Sequence, residues 1–180
     1  MHCWAYGENF QVGLPFLRVS GGNAILSRRP LQVLENTDRP GGAPFWEIDP
    51  ARRSLWCQIE IDGRPVRVGA VRLSAKSNAI RLDQMRQLVE ATEGGTSLLA
   101  GNFRAEPGEP SFAPLRDAAR WCEPQDEPAT FPAHEPRSRF DQVLAPRDWP
   151  LVRHTVLDTE LAGQRPVVSE FRLPDLAEAH

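Results

Sequence analysis

The feature that most constrains the fold is a β-hairpin spanning Leu55 to Leu73. Leu55, Cys57, Ile59 and Ile61 alternate with Trp56, Gln58 and Glu60, which is the period of a strand with two distinct faces. Asp62-Gly63 closes that run, and this dipeptide tolerates the positive φ angles that a tight hairpin turn requires. Val66, Val68 and Ala70 then alternate with Arg67 and Gly69, so the second arm continues to Leu73. No Pro occurs from Val66 to Glu106, which keeps every backbone donor of this stretch available for regular structure. Ser77 to Glu93 is expected to be a helix. Ser77 or Asn78 can cap it, Leu82, Met85, Leu88 and Val89 form one apolar stripe, and Gly94-Gly95 stops it. Thr96 to Ala100 reads as a short buried strand.

The character changes after Arg104. Nine of the 17 prolines lie between Pro107 and Pro150, so loop is expected there apart from a short helix around Phe112 to Ala119. Phe140 to Ala145, Thr155 to Leu161 and Val167 to Leu173 are read as three further strands. The order is β-rich, then helix, then β-rich again, which fits sheets packed face to face with helices outside. A length of 180 residues suits one domain, taken here as residues 1–176 with a tail at 177–180.

Composition narrows the functional classes. The net charge is −3, which excludes a strongly basic nucleic-acid glove. Nearly all the positive charge is Arg, with Lys76 the single lysine, a bias read first as genome composition. No apolar run reaches the length of a membrane span, and the N-terminus lacks the layout of a signal peptide, so a cytoplasmic protein is expected. Cys3, Cys57 and Cys122 form no CxxC pair, and free thiols are expected. His134-Glu135 and His154 lack a third ligand at a usable spacing, and no metal site is assigned to them. The five tryptophans are read as core or loop anchors.

Four segments, in order, resemble the endonuclease/exonuclease/phosphatase superfamily, with its DNase I-like fold. The first, Gly22-Asn23-Ala24-Ile25-Leu26-Ser27-Arg28, resembles a "GNAILSR" strand. The second is the Leu55–Leu73 hairpin followed by Arg81 and Gln84, where the family has a strand ending in His-Leu and then an "R..Q" helix. The third, Leu99-Ala100-Gly101-Asn102-Phe103-Arg104, resembles "LAGDFN". The fourth is a pair: Ser138-Arg139-Phe140-Asp141 resembles "RRIDY", and Leu161 to Val167 resembles "SDHRPV". Thr130-Phe131-Pro132 stands where the family often has "TFP". The resemblance implies an α+β fold, a four-layer αββα sandwich, here expected to lack the family's first strands. It also implies Mg²⁺-dependent hydrolysis of phosphate esters, in which carboxylates hold a hard cation, the cation offsets phosphoryl charge and a carboxylate activates water. In the family the Asp of "RIDY" orients the His of "SDH".

The residues depart from that pattern at the implied site. Arg72 replaces a His, Asn102 replaces the Asp of "GDFN", and Arg104 replaces its Asn. Ala162-Gly163-Gln164 replaces "SDH", so only Asp141 keeps its family identity and Gln164 stands in for the His it would orient. No segment matches the opening strand or the metal-binding "QE" strand. Losing a general base alone typically costs roughly 10²–10⁴ in rate, and the losses here coincide.

The leading reading is therefore an inactive family member, with no catalytic residue or metal assigned. Mg²⁺ is expected only if the family activity survives. Arg72, Arg104 and Arg165 are candidates for a phosphate-binding set, since guanidinium forks match phosphate oxygens; the alternative is arginine supplied by genome bias. Asp141 is either a remnant of the site or a strand-end carboxylate paired with Arg, and Asn102 either binds phosphate or serves as a turn residue. Two other functions stay open: an active phosphodiesterase or nuclease with a rearranged site, and an interaction protein whose partner covers an open sheet face.

Overall fold

One six-stranded sheet, buried on both faces, carries the rest of the molecule. The computed structural model describes residues 2–14, 17–37, 54–118, 120–122 and 128–174. The strands are β1 (Cys3–Leu14), β2 (Leu17–Ser27), β3 (Gln32–Thr37), β4 (Ser54–Ile61), β5 (Arg64–Arg72), β6 (Ser97–Asn102), β7 (Trp121–Cys122), β8 (Asp141–Pro146), β9 (Leu151–Val156) and β10 (Val167–Phe171). The helices are α1 (Asn78–Ala91) and α2 (Ala113–Asp117), the latter preceded by a 3-10 turn at Pro110–Phe112. The sheet order is β3-β4-β5-β6-β8-β7. The expected β4–β5 hairpin is present, and its turn residues Asp62 and Gly63 both take positive φ, 52° and 78°.

The β5–β6 pair is parallel, and α1 makes the crossover between the two strands. Trp56, Val71 and Leu99 face α1 and α2, where they meet Met85, Leu88 and Leu115. On the opposite face Leu55 and Cys57 pack against Ala5 and Ile25 of a separate β1–β2 hairpin. Val66 and Ala145, on that same face, meet Trp149 and Phe171 beside a β9–β10 hairpin. Leu55, Trp56 and Cys57 are consequently all buried, because β4 is covered from both sides. The described residues make up three layers: helices, the six-stranded sheet and the two hairpins.

Two polar residues on α1 have structural work. Ser77 caps the helix by position but makes no side-chain capping bond. Gln84 Oε1 instead accepts the Ser74 amide at 3.0 Å, and Arg81 Nη1 donates to the Ser74 carbonyl at 3.0 Å, with Asn78 also held by Arg81. Arg81 and Gln84 thus lock the loop between β5 and α1 and occupy the buried face alongside Met85 and Leu88.

Several expectations need adjustment. The strand expected at Thr155–Leu161 lies earlier, at Leu151–Val156. Its pairing with β10 ends near Val156, after which the chain turns outward and leaves Leu161 95% exposed. Trp56 and Trp149 are buried, whereas Trp4 is 73% exposed on the outer side of β1 and anchors no core. Trp46 and the expected tail at 177–180 lie outside the described residues.

Gly101 is needed for the close approach of β6 to β5. Its φ is 147°, and a Cβ there would stand 2.0 Å from the Val71 carbonyl oxygen. Gly101→Ala is expected to destabilise the chain by about 1–3 kcal/mol from backbone strain, with a further loss if the β5–β6 ladder parts. Urea unfolding of the variant beside the parent measures it; an unchanged midpoint would contradict this account of the packing.

Candidate functional site

The ends of three neighbouring strands form one row across the sheet. Arg72, the last residue of β5, pairs in register with Asn102, the last residue of β6. Asn102 pairs in turn with Asp141, the first residue of β8. Residues in register project to the same face, so the three side chains share the side that carries the hairpins. Ligand sites in open sheets gather where parallel strands end, and the carboxyl ends of β5 and β6 meet here.

Asp141 is the most heavily bonded of these groups. Thr130 Oγ1 donates to its Oδ2 at 2.7 Å, and Gln164 Nε2 donates to Oδ1 and Oδ2 at 3.0 and 2.8 Å. Burial pushes the Asp141 carboxyl above its ordinary range; the bonds from Thr130 and Gln164 and the charges of Arg104 and Arg72 offset part of that rise.

Asn102 is buried and plays a turn role. Its Oδ1 accepts the Arg104 amide at 3.0 Å, which fixes the tight turn after β6 and lets Arg104 adopt a φ of 53°. Its Nδ2 is buried without a hydrogen-bond partner. The Arg104 guanidinium lies 5.9 Å from the centre of the Phe131 ring, and its Nε is also buried without a partner. Burial lowers the Arg104 pKa from its ordinary value, Arg72 and Arg81 lower it further, and Asp141 opposes them. Arg72 is exposed and makes no ion pair among the described residues.

The structure thus brings Arg72, Asn102, Arg104, Asp141 and Gln164 together. Arg165 is employed otherwise. Its Nε donates to the Ala133 carbonyl at 2.8 Å and its Nη2 pairs with Asp158 at 2.8 Å. Those bonds, with Arg165 N–H to Thr130 O at 2.8 Å and Ala133 N–H to Gly163 O at 3.1 Å, stitch the loop carrying Gln164 to the loop carrying Thr130. Arg165 therefore positions Gln164 and is not available as a free anion ligand beside Arg72. His134 is exposed, and His154 bonds Ser169 between β9 and β10 at 2.9 Å. Among the described residues no three His, Cys, Asp or Glu side chains gather as a metal site would require. The donors of this cleft do not fit a divalent cation: its carboxylate is flanked by two guanidinium groups, and its other polar ends are amides.

No spacing in the sequence points to Thr130 as an Asp141 partner, although the Thr130-Phe131-Pro132 motif marks its segment. Arg81 belongs to the helix motif in the sequence, yet its charge reaches Arg104.

The sequence matches the endonuclease/exonuclease/phosphatase family over residues 4–163. The chain belongs to that family. No curated protein matches its sequence. A Bacteroides thetaiotaomicron mannosyl-6-phosphatase superimposes with a TM-score of 0.75 at 14% identity, over 96% of this chain and 77% of that one. An endonuclease/exonuclease/phosphatase family protein from Leptotrichia buccalis gives 0.76 at 11% identity, over 96% and 72%. A conserved Enterococcus faecalis protein of unknown function gives 0.72 at 17% identity, over 95% and 77%. Similarity at these identities establishes the DNase I-like fold. Within the family pattern, the bond from Gln164 to Asp141 keeps an amide where the resemblance implies an imidazole held by that same Asp.

Burial favours the protonated Asp141 carboxyl in the folded chain. The stability this contributes is full below the ordinary carboxylate range and is lost as pH rises through the folded Asp141 value. Asp141→Asn is expected to show a shallower decline in urea midpoint from acid to neutral pH than the parent. Equal slopes for the two proteins would show that Asp141 is not the titrating group.

Proposed function

We propose that this family member lacks hydrolase activity and that its cleft binds a phosphate-bearing ligand through arginine and amide donors rather than through a metal. The observation that carries the reading is the pair of buried, unpartnered donors at the strand ends, Asn102 Nδ2 and Arg104 Nε. A buried donor left unpaired costs about 1–3 kcal/mol, and an acceptor oxygen relieves that cost. Arg72 stands beside them, one strand away from Asn102, and adds a second guanidinium. Bidentate guanidinium–phosphate contacts are among the strong, geometrically selective hydrogen bonds.

The same residues oppose the family chemistry. Asn102 is a neutral amide and takes no proton from water. Arg72 and Arg104 repel a cation and lie near the Asp141 carboxylate. One observation favours residual turnover: burial raises the proton affinity of Asp141, which is the direction in which a general base is tuned. Its oxygens are, however, already engaged by Thr130 and Gln164.

The test pairs binding with turnover. Inorganic phosphate at about ten times its dissociation constant stabilises a folded protein by about 1.4 kcal/mol, or a few degrees in Tm for a chain of this size. The parent is expected to show that shift, and Arg104→Ala to lose most of it. Hydrolysis of bis-p-nitrophenyl phosphate with Mg²⁺ or Mn²⁺ is expected to stay at background. Metal-dependent turnover abolished by Asn102→Ala or Asp141→Asn would establish the active enzyme instead. No shift with millimolar phosphate would retire the anion site.

A further inference from the structure

Complementary polar groups stand side by side at the strand ends without bonding each other. Asn102 and Asp141 are cross-strand partners on one face of the sheet. Side chains so placed leave the backbone about 5 Å apart. The Asn102 amide has a fixed orientation, because its Oδ1 accepts the Arg104 N–H at 3.0 Å. Its Nδ2 is therefore the end left without a partner, in a residue only 6% exposed. Arg104 Nε is a second buried donor without a partner, so neither group bonds Asp141. Yet Asp141 still has room to accept. A carboxylate offers roughly four acceptor positions, and Thr130 and Gln164 take three of them, at 2.7, 2.8 and 3.0 Å. Oδ2 carries two of these bonds and Oδ1 one, so the open position is on Oδ1 of a side chain that is only partly buried.

Such a set calls for a ligand that accepts on one side and donates on the other. Asn102 Nδ2 and Arg104 Nε, with the exposed Arg72 beside them, need acceptor oxygens. Asp141 Oδ1 needs a proton. A fully ionised oxyanion brings acceptors only, and its charge meets the carboxylate at close range, where like charges resist sharing a site. Inorganic phosphate keeps a P–OH at neutral pH. A phosphate monoester recovers one at little cost, because its second pKa is about 6. Sulfate and phosphodiesters hold no such proton.

We propose that Asp141 makes the cleft selective for oxyanions that carry an ionisable proton, namely inorganic phosphate and phosphate monoesters, over sulfate and phosphodiesters. This rests on the anion-binding reading above and names the class of anion. The ligand P–OH donates to Asp141 Oδ1, while Asn102, Arg104 and Arg72 donate to its other oxygens. The charged groups acting on Asp141 are Arg104 and Arg72, and Arg81 of α1 acts on Arg104. Arginine stays charged from acid to neutral pH, and Thr130 and Gln164 are neutral, so the shared proton belongs to Asp141 and the ligand alone. In acid Asp141 is itself protonated and donates, and an anion without a proton then finds a place.

The test titrates the full chain with sodium phosphate, sodium sulfate, methyl phosphate and dimethyl phosphate at constant ionic strength, following amide chemical shifts. At neutral pH phosphate is expected to bind about tenfold or more tighter than sulfate, the effect of a full unit of proton affinity. Methyl phosphate is expected to follow phosphate, and dimethyl phosphate to follow sulfate. Sulfate stays fully ionised across the range, so its affinity is expected to rise as pH falls and Asp141 gains its proton. Asp141→Asn puts an amide donor where the carboxylate accepts. It is expected to bring phosphate and sulfate to similar affinities and to remove the pH dependence of sulfate binding. The pH profile of the parent needs no substitution, so it decides the matter even where that variant does not fold. Equal binding of phosphate and sulfate by the parent at neutral pH, or sulfate binding that ignores pH, would overturn the selectivity and leave the anion site standing. No binding of any of the four anions would overturn both, the gap between Asn102 and Asp141 then being a place for water.

Discussion

The parallel contact between β5 and β6 is the constraint on which the rest of the structure depends. It requires Gly101, whose missing Cβ lets the two backbones meet at Val71, and it requires the α1 crossover. Once that register is set, Arg72 and Asn102 end their strands side by side, and β8 brings Asp141 to the same row. The cleft is thus a consequence of strand pairing. Its chemistry is decided afterwards by which side chains occupy those ends. Arg81 and Gln84 serve the same arrangement from the helix, because they fix the loop by which β5 turns into α1.

Much of this was legible in the sequence because the relevant signals are local. Alternation and Asp62-Gly63 define the β4–β5 hairpin, and the Pro-free stretch with its apolar stripe defines α1. The motif-like segments bring Asn102, Asp141 and Gln164 to one cleft by resemblance alone. What could not be read was set by tertiary contact. Strands β1 and β3 carry no clean alternation, and they are held by pairing with β2 and β4. The burial of Trp56 together with Leu55 and Cys57 follows from layers on both sides of β4, which a period-two pattern does not announce. Thr130 reaches Asp141 through the fold of a Pro-rich loop, and Arg165 is taken up by Ala133 and Asp158, far from it in sequence or in a loop with no periodic signal.

The Asp141 network shows how a polar cluster can outlast the chemistry implied by its surroundings. A buried carboxylate needs donors whatever its role, and half-satisfied networks are costly. Thr130 and Gln164 provide those donors, so the hydrogen-bonded frame of the cleft is complete as a structural unit. The unpartnered groups lie one strand away, at Asn102 and Arg104. Bonded frame and open donors are therefore adjacent, and the mutual charge of Arg104 and Asp141 couples them.

The uneven cover of the large sheet gives the molecule two mechanical halves. The helix side closes over a continuous cluster that runs from Trp56 to Leu144. The other side is held by two smaller clusters, one beneath each hairpin. Contacts that few residues share open at lower free energy than the global transition. Local opening is therefore expected to begin on the hairpin side before it reaches α1, β5 and β6. The row of strand ends faces that more lightly buried side.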